Sequence, residues 1–247
     1  MKNVLITGCS SGYGLETARL FHAQGWNVFA TMREPREDLF PESDRIHVLK
    51  LDVTSPDSIA AALDAAGPID VLVNNAGIGM IGPLEGMEMS TIRDVFETNT
   101  FGVMAMSRAV IPQLRERRSG VIVNVTSSVT LAPMPLVSVY AASKHAIEGF
   151  TESLQHELGE FDVAAKLVEP GYAPSTNFGS NMGVPIEELI PEAYGAYAQR
   201  VLGDFQNVEV VTVPADVAEG VYRAATDETG TLRFPAGPDA VALAGIA

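Results

Sequence analysis

Val4-Leu5-Ile6-Thr7-Gly8-Cys9-Ser10-Ser11-Gly12-Tyr13-Gly14 is the stretch that decides the fold. An apolar run, Val4–Thr7, stops at Gly8, and two further glycines follow before a helical pattern begins. Leu15, Ala18, Phe21 and Ala23 then recur at helical spacing until Gly25 closes the segment. Glycines let a backbone turn tightly and approach a ligand that a Cβ would touch. The helix that follows aims its free N–H groups and positive dipole end at the turn, which suits a pyrophosphate. The spacing is not the GxGxxG dinucleotide fingerprint. A tight turn with no ligand would use the same residues, but a place in the first βα unit of an alternating chain favours a nucleotide.

Outward from that turn, short β-branched runs alternate with longer amphipathic ones. Strands are predicted at Asn27–Thr31, Ile46–Leu51, Ile69–Val73, Val121–Thr126, Val163–Val168 and Leu232–Phe234. Ser55-Pro56 reads as an N-cap followed by proline at the first helical position, opening a helix to about Ala66. Further helices are predicted over Ser90–Arg117, Ser138–Glu160 and Pro214–Thr226, with Pro112 expected to kink or end the first. Strands this apolar between helices imply a parallel sheet covered on both faces. The expectation is one α/β domain over residues 1–247, a Rossmann-type doubly wound sheet. Residues 172–207, polar and glycine-containing with only short helical patches, are expected to form a substrate lid.

Bulk composition narrows the function classes. With 47% hydrophobic and 19% charged residues in 247, the chain is that of an ordinary globular protein. A net charge of −15 argues against nucleic acid or an anionic membrane as partner. No apolar run approaches the length that spans a bilayer, and a strand beginning by Asn3 leaves no space for a secretory signal. Cys9 is the single cysteine, so no internal disulfide is expected and a cytoplasmic location is the default. It reads as a small packing residue. The acids show no metal-ligand spacing, and His145 and His156 join no carboxylate–His–nucleophile pattern.

Tyr140-Ala-Ala-Ser-Lys144 carries the chemistry. Residues four apart on a helix project from one face, so the phenol and the ammonium address one ligand. A free tyrosine has a pKa of about 10, high for proton exchange at neutral pH, and a nearby cation stabilises the phenolate.

With these motifs the sequence resembles the short-chain dehydrogenases/reductases over nearly its whole length. The likeness rests on Thr7–Gly14, Asp52-Val53, Asn74-Asn75-Ala76-Gly77, Asn99-Thr-Phe-Gly102, Ser127, the Tyr140–Lys144 pair and Pro170-Gly171, in that order. The resemblance implies a seven-stranded parallel sheet, a nicotinamide dinucleotide cofactor and interconversion of an alcohol and a carbonyl. It implies that Tyr140 is the acid in reduction and the base in oxidation. Lys144 would bind the nicotinamide ribose and depress the Tyr140 pKa, Ser127 would hydrogen-bond the substrate oxygen, and Asn99 would hold a water that relays protons to Lys144. The family's spacing from Gly120 and from Tyr140 selects Ser127 over Ser128. It also implies cofactor contacts at Gly8, Ser10, Ser11, Gly12, Tyr13, Gly14, Asp52, Val53, Asn75 and Ala173.

Users of NAD commonly carry an acid at the end of the second strand. Here Met32 stands in that place and Arg33, whose fork suits a phosphate, follows it. These favour NADP(H); against them, Glu34 comes next and no Lys or Arg stands immediately before Gly12, so NAD(H) is the alternative. Two departures from the family pattern stand out. Tyr13 replaces an aliphatic residue, and Tyr172-Ala173-Pro174-Ser175-Thr176 leaves open whether Ser175 or Thr176 takes the family's threonine role.

Met80, Met134, Leu136, Tyr172, Phe178 and Met182 fall in segments expected to border an apolar, adaptable substrate site. The alternatives to an alcohol/carbonyl oxidoreductase are a non-catalytic NADP(H)-binding redox sensor and a cofactor-retaining epimerase or dehydratase. A sensor has no need of the phenol–ammonium pair, and the family's epimerases have longer C-terminal domains. In the family the two long helices commonly pair across a two-fold axis. A homodimer or homotetramer is therefore expected, with Phe150 nearer the interface than the active site.

Overall fold

The computed structural model describes residues 1–176 and 180–245. Its strands are β1 (Asn3–Thr7), β2 (Asn27–Met32), β3 (Ile46–Lys50), β4 (Val71–Asn74), β5 (Gly120–Val125), β6 (Val163–Pro170) and β7 (Arg233–Ala236). They form one parallel sheet in the order β3-β2-β1-β4-β5-β6-β7. Helices α1 (Gly12–Ala23), α2 (Pro56–Ala66), α3 (Met89–Phe96), α4 (Gly102–Arg117), α5 (Ser138–Gly159), α6 (Gly195–Gln206), α7 (Pro214–Thr226) and α8 (Pro238–Leu243) complete the chain. The single domain is thus a doubly wound Rossmann-type sheet.

The period-two alternation of each strand divides the core into two layers. Val4, Ile6, Val73 and Val123 point to one face, under Phe21 of α1 and Val217, Val221 and Ala224 of α7. Leu5, Leu72 and Ile122 point to the other, under Ile59 of α2, Val110 and Leu114 of α4, and Leu154 of α5. Fully burying each such side chain contributes roughly 1.5–3 kcal/mol. Phe21 meets Trp26 and Tyr222 edge-on, at ring-centroid distances of 5.0 and 5.2 Å.

Ser55 caps α2 by accepting from the Ser58 N–H at 3.3 Å, with Pro56 in the first turn, as the sequence predicts. The helix expected over Ser90–Arg117 is interrupted elsewhere than at its proline. A π turn at Glu97–Phe101 separates α3 from α4, whereas Pro112 lies inside α4 without ending it. Pro112 and Arg108 are both exposed, so the Arg108 carbonyl that loses its helical partner faces solvent. Residues 172–207 also hold more order than expected, since α6 is a three-turn helix with Ala198 and Val201 buried.

Candidate active site

The strand order reverses between β1 and β4, and a cavity of about 860 Å³ opens there beyond the carboxyl ends of the strands. Thr7 ties the two strand ends together. Its hydroxyl accepts from the N–H groups of Asn75 (3.0 Å) and Ala76 (2.9 Å), while the Asn75 amide donates to the Thr7 carbonyl at 2.9 Å. Gly8 has φ +76°, and a Cβ on it would stand 2.8 Å from the Ala76 Cα, so only glycine lets the turns meet. Gly8, Ser10, Ser11, Gly12, Tyr13 and Asn75 line the cavity. Gly14 does not. A Cβ there would fall 2.3 Å from the Gly8 carbonyl oxygen, so this glycine acts by letting α1 sit against the turn.

The opening of α1 fits a dinucleotide phosphate. Its N-cap, Ser11, makes no side-chain capping bond, and the first turn holds no acid. The orphan N–H groups and the positive dipole end therefore have no internal anion to satisfy them. At the far end Met32, Arg33, Asp52 and Val53 line the cavity, and Glu34 is not among the described lining residues. Hydrogen bonds from the Thr54 backbone and hydroxyl hold the Asp52 carboxyl below its ordinary range, with Arg33 adding an opposite charge. Arg36 is committed to Asp38 at 2.7 Å, whereas Arg33 joins none of the ion pairs among the described residues.

Helix α5 brings Tyr140 and Lys144 to the cavity wall, both buried. The Lys144 ammonium donates to the Val125 carbonyl at 3.0 Å and lies 5.8 Å from the Tyr140 ring centroid. Burial pushes Lys144 down to about 8, while Glu148 opposes that fall. Burial also pushes the Tyr140 phenol up to about 12, against a hydrogen bond with the Ser127 side chain. Desolvation penalises the phenolate more than the Ser127 bond favours it, so the phenol is raised rather than depressed. Ser127 is half-buried and meets the phenol, whereas Ser128 is turned into the core.

Asn99 sits within the π turn, fully buried, and does not line the cavity. Its amide donates to the Ile78 carbonyl (2.9 Å) and Ser143 (3.2 Å), and its oxygen accepts from the Ile78 N–H at 2.8 Å. The side-chain donors are therefore committed to protein, and the amide braces the β4 turn beside Lys144. A Cβ on Gly77 would meet the Asn99 oxygen at 3.1 Å and the Lys144 nitrogen at 3.6 Å, so this glycine keeps their shared space open.

After β6, Thr176 lines the cavity and Ser175 does not. Ala173 is buried behind it and does not line the cavity, its carbonyl accepting from the Thr176 hydroxyl at 2.8 Å. The Tyr13 hydroxyl reaches the Gly171 carbonyl at 3.4 Å and thereby links the glycine turn to this loop. Asp239 of α8 accepts from the Tyr172 N–H at 2.6 Å and from the Thr212 hydroxyl. Val125, Thr126, Thr98 and Asn181 also line the cavity without having been foreseen. Thr126, at the carboxyl end of a predicted strand, was within reach of sequence reasoning. Thr98 depends on the π turn, which has no sequence signature.

The family model for short chain dehydrogenases matches residues 2–183. This chain belongs to the short-chain dehydrogenase/reductase family. Uncharacterized oxidoreductase YusZ of Bacillus subtilis is 39% identical over 96% of this chain and 89% of its own length. Retinol dehydrogenase 8 of Bos taurus is 44% identical over 69% of this chain and 58% of its own length. A short-chain dehydrogenase structure from Streptomyces avermitilis superposes with a TM-score of 0.83, 35% identity and coverage of 99% of this chain and 90% of that one. Solved structures of this fold hold either nucleotide. One is serine dehydrogenase with NADP+ (29% identity, TM-score 0.79, 96% and 95% coverage), and another a Burkholderia phymatum protein with NAD (25%, 0.80, 99% and 92%).

In this short-chain dehydrogenase no described cluster of His, Cys, Asp or Glu could hold a metal ion. No described helix is long and apolar enough to cross a membrane. Cys9 is fully buried, which pushes its thiol up to about 12 and keeps it a packing group. His145 and His156 are exposed on α5, outside the cavity.

Proposed function

We propose that this short-chain dehydrogenase reduces the carbonyl of an apolar small molecule with NADPH, Tyr140 supplying the proton. The observation that carries the reading is the company Tyr140 keeps. Its buried ring joins a cluster with Met80, Met87, Val137, Met182 and Leu189, against which Met134 packs, so the reactive phenol borders an apolar, adaptable wall. Retinol dehydrogenase 8 is named for an apolar alcohol, in keeping with this. Leu136 and Tyr172 stand further out, Leu136 against Ala198 and Val201 of α6, and Tyr172 5.9 Å from the Phe205 ring. Phe178 lies outside the described residues.

The bound nucleotide would supply a hydride. Gly8–Tyr13 and Asn75 would hold its phosphates and nearby ribose, Arg33 its 2′-phosphate, and Lys144 the nicotinamide ribose. A phenol at about 12 is fully protonated at neutral pH, so Tyr140 begins the cycle loaded as an acid. Ser127, bonded to that phenol, is placed to steady oxygen charge beside it. Residues 172–207 would act as the lid, since Met182 and Leu189 belong to the Tyr140 cluster. The test is a panel of aldehydes and ketones, from short polar to long-chain and polyene, read by loss of reduced-nicotinamide absorbance. Apolar members with NADPH are expected to turn over fastest; preference for small hydrophilic substrates would overturn the reading.

We also propose a homodimer or homotetramer built on the outer faces of α4 and α5. Phe101 is 53% exposed at the start of α4, and Ala142, Gly149 and Ser153 are exposed on α5. Phe150 is half-buried against its own core layer, on the α5 side away from the apolar cluster around Tyr140. Light scattering across a dilution series is expected to give a multiple of the 26.2 kDa chain mass. A monomer mass with full activity at micromolar concentration would remove the idea.

A further inference from the structure

Behind the catalytic wall lies a cluster of charge that the reaction described above does not use. Glu148 follows Lys144 by one turn of α5 and is 5% exposed. The single proton of the Thr130 hydroxyl is shared between two acceptors, the Ser127 carbonyl at 2.7 Å and one Glu148 carboxylate oxygen at 3.1 Å. The other oxygen meets the guanidinium of Arg233, on β7. Arg233 also meets Glu169, fully buried on β6, and Glu152, one further turn along α5 at 2.6 Å. Three carboxyl groups thus surround one guanidinium. One Glu169 oxygen has no partner among the described residues, and burial together with Glu148 raises that carboxyl.

We propose that Glu148 is a positioning residue of the catalytic centre, its carboxylate fixing the Ser127 turn through Thr130 and keeping the Lys144 ammonium charged. The geometry explains both parts. Thr130 is the sole side chain joining Glu148 to the Ser127 turn among the described hydrogen bonds, and Ser127 in turn bonds Tyr140. Residues four apart on a helix lie on one face, and Glu148 is the charge that opposes the effect of burial on Lys144. Arg233 covers that charge only in part, because Glu152 and Glu169 share its guanidinium. The charged or titratable groups around this pair are then Tyr140 and Glu152 from α5, Glu169 from β6 and Arg233 from β7, with Tyr13 beyond Tyr140 in the glycine turn and Asp94 and Glu97, from α3 and the π turn, lining the same cavity as Lys144. The Lys166–Asp227 pair, closed on itself at 2.8 Å, adds no net charge.

The inference rests on Tyr140 and Lys144 being the reacting pair, so its test reads Lys144 without turnover. The intact protein is labelled with trace acetic anhydride across pH, and acetylation at Lys144 is followed by mass spectrometry. The wild-type midpoint is expected near 8. Glu148→Gln removes the charge but keeps an acceptor for Thr130, and is expected to lower the midpoint by roughly one pH unit. Loosened packing would do the opposite, because water reaching the ammonium raises its pKa. Glu152→Gln touches the same guanidinium from two turns away and is expected to lower the midpoint far less, and Glu148→Asp to return it most of the way. The alkaline limb of kcat/KM should follow the Lys144 midpoint. An unmoved or raised midpoint in Glu148→Gln, or an equal fall in Glu152→Gln, overturns the proposal. If Glu148→Gln does not fold, Arg233→Gln decides: uncovering the carboxylate should raise the midpoint, and no change or a fall overturns it. A Tyr140→Phe enzyme that still turned over would refute the proton donor while leaving these midpoints as expected.

Discussion

Tyr140→Phe is expected to lower kcat by roughly 10²–10⁴-fold, the span that a positioned general acid contributes, while cofactor affinity stays near that of the parent. The substitution removes one oxygen from a ring that is buried within an apolar cluster, so packing survives. What is lost is the proton. In the proposed mechanism a phenol held at about 12 keeps that proton at neutral pH and would release it only as oxygen charge develops beside it. Ser127, the phenol's hydrogen-bond partner, would be left to meet that oxygen alone. The nucleotide is expected to keep its hold because the glycine turn and Arg33 lie on other elements of the cavity. Single-turnover decay of NADPH absorbance with a reactive ketone, beside a fluorescence titration of NADPH, separates the two effects. An unchanged single-turnover rate would remove Tyr140 from the mechanism.

The layout of the site was legible where one local pattern determines both structure and chemistry. The apolar run into Gly8 encodes a strand, a turn and a helix start together, and the four-residue step from Tyr140 to Lys144 needs only a helix to bring both groups to one wall. Three things were illegible. The π turn around Asn99 inserts one residue into a helix whose apolar spacing looks continuous, and the visible Pro112 drew the expected break instead, although its exposed face tolerates a missing bond. α6 was legible in principle, since Ala198, Val201 and Phe205 keep helical spacing, but Gly195 and Gly203 diluted the pattern. The Glu148–Arg233–Glu169 cluster was not, because its members lie 64 and 85 residues apart and meet only through the order of β6 and β7 beside α5. The Tyr140 pKa belongs with that group. Spacing reveals the neighbouring cation, whereas the sign of the net shift depends on burial, which sequence does not report.

Arg33→Ala is expected to weaken NADPH by about 1.5–3 kcal/mol, the range for hydrogen bonds to a charged group, or roughly ten- to a hundred-fold in Kd. Arg33 is exposed at the cavity mouth, so the lower part of that range applies at physiological salt and the higher part at low ionic strength. Met32, next to it, is buried in the core and offers no carboxylate to a ribose 2′-hydroxyl. Asp52, the acid that Arg33 does influence, is already engaged by Thr54. Removing the guanidinium therefore costs the phosphorylated nucleotide its one cation at this end among the described lining residues, and NADH, which lacks the 2′-phosphate, should lose little. The converse change, Met32→Asp, places a carboxylate that would accept from a free 2′-hydroxyl and repel a phosphate. Fluorescence titration of both nucleotides against the parent and Arg33→Ala, at low and at physiological salt, decides the matter. Equal losses for NADPH and NADH, or a salt-independent loss, would mean that Arg33 does not read the phosphate and that the preference lies in the glycine turn.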